Sequence, residues 1–209
     1  MVDKLTSWKY AEEFHLESDV FHAARGRANE LGIESVTSSV GAQLALIASA
    51  TGAKAIMEAG TGAGISGLWL LSGSPDAVLA TIDTEVEHQS AARAAFNDAK
   101  IAANRTRIIS GRALDVMSNM ADAAYDLVFL DADIETADEQ VREAARLLRP
   151  GGVLAVAHAL WRDRVPDPVM RDDATSTHRG ILRSFEKNED FIAVLSTAGD
   201  GLLLASKRR

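Results

Sequence analysis

The chain has 209 residues, of which 47% are hydrophobic and none is cysteine, and its formal net charge is −8. No apolar run approaches the ~20 residues of a membrane-spanning helix, no signal-peptide segment opens the sequence, and disulfides and thiolate metal sites are excluded, so we expect a cytoplasmic protein with no membrane partner. The acidic balance disfavours nucleic acid as a partner, because a surface that neutralises many phosphates is usually basic.

Two helical segments precede the first strand. Residues 8–31 carry apolar side chains at helical spacing, and Gly32 is suited to end that helix. Thr37 can cap a second helix, which we expect to end at Gly52. These helices are expected to form a cap, residues 1–52, on the remainder of the chain.

The remainder, residues 53–209, alternates between strand-like and helix-like segments. Six buried strands are predicted, at 54–59, 77–83, 105–110, 125–131, 152–158 and 191–197. The first five are separated by helix-length segments, which is typical of parallel βαβ units. The sixth differs, because a turn rich in Gly and Asp joins it to a seventh strand at 202–206 as a β-hairpin. We expect one α/β domain, residues 1–209, with a seven-stranded, mostly parallel sheet, an antiparallel last strand and helices on both faces.

A glycine-rich loop follows the first predicted strand. Gly60, Gly62 and Gly64 alternate along it, and such glycines let the backbone turn tightly and approach a ligand without a Cβ in the way. The next segment is predicted to be helical, so its free N–H groups would point at the same place. This arrangement is typical of a nucleotide site at the head of an α/β sheet.

Two nucleotide classes compete for this loop. The stretch from Gly62 to Gly67 formally matches the GxGxxG dinucleotide fingerprint, and Asp83 follows at about the distance of a ribose-binding acid. Against a dinucleotide, Glu58 stands where a pyrophosphate would come close, and the C-terminal hairpin is foreign to the dinucleotide fold. An acid at that position suits a ligand with a cationic head instead.

Longer motifs carry a resemblance to a known family. The chain resembles class I S-adenosylmethionine-dependent methyltransferases in three places: the glycine loop with Glu58 before it, the strand end Thr81-Ile-Asp83 and the strand at 125–131. A narrower similarity, to the catechol and caffeoyl-CoA O-methyltransferase family with its bacterial O-methyltransferases, lies in segments 60–69, 130–133, 160–161, 165–168 and 199–204. The resemblance implies the Rossmann-like methyltransferase fold, S-adenosyl-L-methionine as cofactor and a homodimer.

The resemblance also implies which residues bind the cofactor. They are Val36, Glu58, Gly60, Thr61, Gly62, Ser66, Asp83, Thr84, Ala113, Asp131 and Asp133. Asp83 corresponds to the acid that accepts both ribose hydroxyls, or it caps the helix that follows. Glu58 belongs near the amino-acid end of the cofactor, or it is a surface acid. Ser66 is expected either to reach the cofactor carboxylate or to cap its own helix.

The catalytic end departs from the family pattern. Family members that methylate catechols bind a divalent cation through an Asp and a later Asp-Asn pair, and a Lys acts as base. Here Asp131 is retained as a candidate metal ligand, but Ile134 stands at the Lys position. The Asp-Asn pair is replaced by Ala157 and His158. One carboxylate is a poor Mg²⁺ site, so a metal is disfavoured, although Asp133 and His158 beside it would suit Mn²⁺ or Zn²⁺.

Without a metal, His158 is the best candidate base, because imidazole titrates near neutral pH and this one follows a strand end close to Asp131. Asp131 and His158 are therefore the predicted catalytic residues, whereas His88 and His178 are expected to face solvent on helices. Residues 161–171 are expected to form either a substrate loop over the site or a plain surface loop.

The predicted function is the transfer of a methyl group to a hydroxyl of a small aromatic acceptor, without a required metal. Two alternatives stay open: methylation of an RNA nucleotide hydroxyl, and a cofactor-binding protein that has lost catalysis. The departures at Ile134 and Ala157 keep the second of these open.

Overall fold

The structure of the protein, a computed structural model, describes residues 3–209. In this range the strands are β1 Ala55–Ala59, β2 Val78–Asp83, β3 Thr106–Ser110, β4 Tyr125–Leu130, β5 Leu148–Val156, β6 Phe191–Ser196 and β7 Leu202–Lys207. The α-helices are α1 Lys4–Glu12, α2 Asp19–Glu30, α3 Ser38–Thr51, α4 Ile65–Gly73, α5 Val86–Asp98, α6 Ala113–Met117, α7 Ala137–Leu147 and α8 Asp173–Glu186. None of the helices in the described range has the length and apolar character to cross a membrane. We expect no signal peptide in the N-terminal segment, and the first two residues of that segment, Met1 and Val2, lie outside the described residues.

The seven strands form one sheet in the order β3-β2-β1-β4-β5-β7-β6. β1 to β5 are parallel to one another, and β7 lies between β5 and β6, antiparallel to both. The predicted α/β fold with an antiparallel last strand is therefore confirmed. Because the winding of the sheet reverses between β1 and β4, the carboxyl ends of these two strands open a crevice.

Helices cover both faces of the sheet, and two adjacent residues of β1 show how. Ile56 packs into one hydrophobic cluster with α2 to α5, and Met57 packs into a second cluster with α6 to α8. Both side chains are fully buried. Since successive strand residues point to opposite faces, each central strand contributes to two cores, and most of its side chains are apolar.

The predicted first helix is wrong in one respect, because the chain breaks it into α1 and α2. Glu17 lies in the break, and its carboxylate accepts two hydrogen bonds of 2.6 Å from Arg25 and one of 3.3 Å from the indole of Trp69. α1 is tied elsewhere, since the indole of Trp8 donates to the carbonyl of Thr197 at 3.0 Å. Contacts distant in sequence therefore end the helical periodicity here.

The second predicted helix, α3, begins and ends where its capping residues indicate. The Thr37 hydroxyl accepts a hydrogen bond of 3.3 Å from the N–H of Val40. Gly52 follows the last turn at a φ of 59°, a backbone conformation that residues with a Cβ rarely adopt.

β5 begins and ends earlier than predicted. Asp126, at the start of β4, is 2% exposed, and its carboxylate accepts N–H bonds from Lys54 at 2.7 Å and Ala55 at 2.9 Å. The same carboxylate pairs with Arg149, which holds the start of β5 beside β4. His158, predicted to end the strand, lies in the following turn at a φ of 53°.

His178 is buried, which contradicts the expectation that it faces solvent. It is 5% exposed in α8 and stacks on Trp161, with ring centroids 4.9 Å apart. The loop after β5 folds back over α8, where Arg179 donates to the carbonyl of Val165 at 2.8 Å. Burial lowers the pKa of His178 to about 4, and the nearby charge of His158 acts in the same direction.

The Asp126 carboxylate makes a prediction for stability. Asp126→Ala removes the ion pair with Arg149 and leaves two backbone N–H groups without their acceptor. We expect the free energy of unfolding to fall by about 3 kcal/mol, measured by urea denaturation. The control is Asp76→Ala, which removes an exposed carboxylate 3.0 Å from Lys54 and should behave as an ordinary surface substitution. Equal unfolding midpoints for the two variants would contradict the structural role of Asp126.

His178 makes a prediction for acid stability. Its pKa is about 4 in the folded protein against an ordinary value of 6.5, so between these pH values the unfolded chain binds more protons. Stability attributable to this residue is therefore lost as the pH falls from 6.5 towards 4. The His178→Leu variant should show a shallower decline over the same interval, measured by urea unfolding at a series of pH values. Parallel declines in the two proteins would disprove the assignment.

Candidate active site

The carboxyl ends of the central strands open into a cavity of about 610 Å³, called here the large cavity. Of the residues predicted from the sequence, its wall contains Gly60, Gly62, Asp83, Thr84, Ala113, Asp131 and Asp133. The cavity lies where the winding of the sheet reverses, which is where open α/β sheets bind ligands. The fold thus brings residues from the ends of four strands to one place.

The glycine loop after β1 packs directly on the end of β4. Gly60 has a φ of 93°, and a Cβ placed on it would lie 2.0 Å from the carbonyl oxygen of Asp131. The N–H groups of Gly60 and Thr61 donate to the carbonyl of Ile82, at 2.9 and 3.2 Å. Only glycine fits at the first position, because both the backbone conformation and the space exclude a side chain.

Asp83, at the end of β2, is held by groups from three sides. Its carboxylate accepts N–H bonds of 2.9 Å from Gly62 and from Glu85, and the ring of His88 lies 3.3 Å away. The bond to Glu85 is the capping role that the sequence left open. A carboxylate offers about four acceptor positions, so capacity remains for a ligand hydroxyl in the large cavity.

Glu58 is fully buried beneath the glycine loop, so the surface-acid alternative is wrong. Thr81 donates to its Oε2 at 2.6 Å, and within the described residues its Oε1 has no hydrogen-bond partner. Burial raises the pKa of Glu58 to about 7, the hydroxyls of Ser66 and Thr81 oppose the rise, and the negative charge of Asp131 adds to it. The unpaired oxygen is a buried acceptor that a cationic ligand group would satisfy. 

Thr61 and Ser66 lie under the loop as Glu58 does, rather than in the wall of the large cavity. Thr61 is 1% exposed, and its hydroxyl lies 2.7 Å from that of Thr81. Ser66 is 6% exposed in the first turn of α4.

His158 joins two carboxylates. Its Nε2 lies 3.2 Å from Oδ1 of Asp131, and its Nδ1 lies 2.7 Å from Oδ1 of Asp200. The hydrogen bonds with Asp131 and Asp200 raise the pKa of His158 to about 10, against the opposing effect of burial. The ring is therefore an imidazolium at neutral pH. A side chain that already holds its proton does not act as the general base that near-neutral titration led us to expect.

A second, smaller cavity of about 150 Å³ lies on the other side of this ring. Its wall includes Val36, Val40, Ala157, His158, Asp200, Glu34 and Arg162. Val36, predicted to bind the cofactor, lies here and not among the residues of the large cavity, whereas Glu34 lines both. An ion pair of 2.6 Å joins Arg162 to Glu34 at this wall.

The side chains after β4 and β5 do not fit a divalent cation. Ala157 offers no ligand atom, and both ring nitrogens of His158 contact carboxylates. Asp133 accepts the N–H of Glu135 at 2.9 Å and so caps a turn. Among residues 3–209, no three His, Asp or Glu side chains are grouped so that they could hold an ion. The donor set therefore does not support the Mn²⁺ or Zn²⁺ alternative, nor Asp131 as a metal ligand.

Sequence reasoning missed Asp200 as a member of the site. The sequence indicates a hairpin turn at Gly199, Asp200 and Gly201 and a family resemblance there, but no spacing pattern links that turn to His158. The signal is topological, because β7 pairs with β5 and so brings the turn before β7 to the end of β5. His88, expected to face solvent, is instead half-buried in the wall of the large cavity, because the start of α5 places its ring 3.3 Å from Asp83.

The chain is similar to known O-methyltransferases along its length. The family model described as O-methyltransferase matches residues 12–208. The probable O-methyltransferase Rv1220c of Mycobacterium tuberculosis is 47% identical over 199 residues, which cover 95% of this chain and 89% of that protein. A crystal structure of a Corynebacterium glutamicum protein superposes with a TM-score of 0.90 at 29% identity, covering 99% of this chain and 98% of that one.

The O-methyltransferase TomG of Streptomyces achromogenes, involved in tomaymycin synthesis, was solved with S-adenosylmethionine; its TM-score is 0.84 at 25% identity, with both chains covered completely. The large cavity and the glycine loop fit such a cofactor, since the backbone at Gly60 has no room for a side chain and, within residues 3–209, a carboxylate oxygen buried beneath the loop has no hydrogen-bond partner. The chain belongs to the O-methyltransferase family, and it is an enzyme that transfers a methyl group from S-adenosylmethionine.

Proposed function

We propose that this enzyme methylates a hydroxyl oxygen of a small aromatic acceptor without a metal ion. The proposal rests on one observation, the contact of 3.2 Å between Asp131, which lines the large cavity, and His158, which lines the small one. With the cofactor in the large cavity and the acceptor in the small one, this pair stands where the two molecules meet.

The large cavity suits the methyl donor in size and in charge. A volume of about 610 Å³ lies in the usual range for small-molecule sites. We assign Asp83 to the ribose hydroxyls, Ala113 and Thr84 to the adenosine side, and Glu58 and Ser66 to the support of the amino-acid end. The remaining assigned cofactor residues are Gly60, Thr61, Gly62, Asp131 and Asp133, together with Val36, which would contact the cofactor from the wall of the small cavity. Every charged residue of this set is acidic, which favours a cationic cofactor.

The small cavity suits a single aromatic ring. Its volume of about 150 Å³ matches the size of cavity that takes one benzene molecule. Val36, Val40 and Ala157 supply apolar wall, and His158 with Asp200 supplies a polar end. An acceptor with one ring and a hydroxyl directed at His158 satisfies both halves.

The chemistry follows from the charges at this contact. S-adenosylmethionine supplies a methyl group on a sulfonium, and the sulfur keeps the electron pair of the broken S–C bond as a neutral thioether. The two cavities position the acceptor oxygen for an in-line approach, in which the new O–C bond forms. Asp131 takes the hydroxyl proton, and the imidazolium of His158 stabilises the negative charge that develops on the oxygen.

We also propose that each chain acts as one domain and that two copies associate through α1 and the segment after it. Leu5, Tyr10, Phe14 and Leu16 are 66%, 72%, 66% and 94% exposed. Apolar side chains exposed together in this way favour an interface. Analytical ultracentrifugation of the wild-type protein measures the mass of the particle in solution and so distinguishes a dimer from a monomer.

A cytoplasmic location stays a prediction.

The cofactor assignment is tested at Asp83. Asp83→Ala removes the acceptor proposed for the ribose hydroxyls, and we expect S-adenosylmethionine binding to weaken by about 1.5–3 kcal/mol in calorimetry. Thermal unfolding checks that the variant is folded, and Asp76→Ala, an exposed acid far from the cavity wall, is the matched control. Wild-type affinity in the folded Asp83 variant would refute the assignment.

The reaction is tested with methyl-labelled S-adenosylmethionine and a panel of one-ring phenols and catechols, with EDTA and Mn²⁺ arms. We expect a labelled ether at equal rates in both arms. His158→Ala should lower turnover by about 100-fold, at the low end of effects of groups acting on protons, with cofactor affinity nearly unchanged. His22→Ala, which changes an exposed side chain of α2, is the control and should retain full turnover. A requirement for Mn²⁺ would refute the metal-free mechanism, and label in an RNA oligonucleotide but in no phenol would refute the acceptor class.

A further inference from the structure

The turn between β6 and β7 is hydrogen-bonded to the turn that follows β5. Oδ1 of Asp200 lies 2.7 Å from Nδ1 of His158, and Oδ2 accepts the N–H of Arg162 at 3.0 Å. The carbonyl oxygen of Asp200 also accepts the N–H of Leu160, at 2.8 Å. Asp200 therefore contacts three residues of this turn, His158, Leu160 and Arg162.

The turn after β5 has a disfavoured backbone conformation that these hydrogen bonds stabilise. His158, Trp161 and Arg162 have φ values of 53°, 44° and 53°, in the left-handed region that side chains with a Cβ disfavour. Residues remain in this region only where the surroundings determine their conformation. Within residues 3–209, the polar partners of the His158 ring are the carboxylates of Asp131 and Asp200.

Asp200 is itself fixed in position. Gly199 and Gly201 flank it at φ values of 58° and 102°, and a Cβ on Gly201 would lie 2.5 Å from the nitrogen of Leu160. From the other side, the carboxylate of Glu12 in α1 accepts the N–H of Gly199 at 2.7 Å. The turn can thus approach His158 closely and is held there.

We propose that Asp200 is a positioning residue for methyl transfer, holding Nδ1 of His158 so that Nε2 faces Asp131 between the two cavities. A carboxylate that accepts the N–H of one ring nitrogen fixes the orientation of the ring. The other nitrogen is then directed at the place where the acceptor hydroxyl loses its proton. The catalytic part of this inference rests on the proposed function, whereas the hydrogen bond between Asp200 and the His158 ring is a property of the free protein.

Three variants separate the effect of the hydrogen bond between Asp200 and His158 from a general loss of stability. Asp200→Ala removes both side-chain acceptors. Asp200→Asn keeps one oxygen for Nδ1 of His158 and loses the second acceptor and the charge. Asp163→Asn changes an exposed carboxylate of the same turn, at a φ of 60°, and serves as the matched control.

The first measurement is proton NMR of the free protein with ¹⁵N-labelled histidine. A short hydrogen bond to a carboxylate should place the Nδ1 proton of His158 far downfield, and His158→Ala identifies the signal by its loss. We expect the signal in the wild-type protein and in Asp163→Asn, a weaker shift in Asp200→Asn, and no such signal in Asp200→Ala. An unchanged signal in Asp200→Ala would overturn the inference.

The second measurement uses S-adenosylmethionine and the phenol that the wild-type enzyme methylates fastest. Asp200→Ala should lower kcat by about 100-fold while KM for the cofactor changes little, and Asp200→Asn should recover part of kcat. Wild-type kcat in a folded Asp200→Ala, or the same kcat for the two Asp200 variants, would overturn the positioning role. A wild-type enzyme that methylates no phenol would refute the proposed acceptor class instead, while the NMR signal still decides whether Asp200 holds His158.

Discussion

The close approach of the glycine loop to the end of β4 is the contact on which the site depends. A Cβ at Gly60 would lie 2.0 Å from the carbonyl oxygen of Asp131, and on the other side of the same junction the N–H of Asp131 donates to Ala59 at 2.8 Å. Because β1 and β4 are fastened together in this way at the point where the sheet reverses, the loop and the Asp131 carboxylate share one cavity. His158 and Asp200 can then add to that carboxylate from β5 and the hairpin.

The charge of the site is consistent with a methyl donor that is a cation before transfer and neutral afterwards. Glu58, Asp83 and Asp131 lie near one another, and the negative charges of Asp131 and Asp83 help to raise the pKa of Glu58. Such a cluster attracts a sulfonium and offers less to a neutral thioether, so transfer itself weakens the hold on the product. The imidazolium of His158 has the opposite charge, and it lies in the wall of the small cavity.

Local patterns in the sequence predicted the order and type of the strands, the caps of α3 and the glycine loop, because these depend on residues close in the chain. Errors arose where distant residues decide the outcome. Glu17 ends the first helix through Arg25 and Trp69, which lies on another helix. Likewise, the loop after β5 buries His178, and Asp200 reaches the site only because β7 pairs with β5. No local signal carries such contacts.

The departures from the catechol-methylating pattern form a coherent set and not a simple loss. Ala157 removes a ligand atom and contributes apolar wall to the small cavity, while His158 brings a positively charged ring to the carboxylate that remains. An imidazolium carries an N–H on each ring nitrogen, and Asp200 supplies the acceptor for the second of them, 2.7 Å from Nδ1. A site drifting after the loss of catalysis would have no reason to maintain a disfavoured backbone at His158 with a hydrogen bond on each ring nitrogen. The same groups that fit a divalent cation poorly therefore support the proposal of methyl transfer without a metal ion.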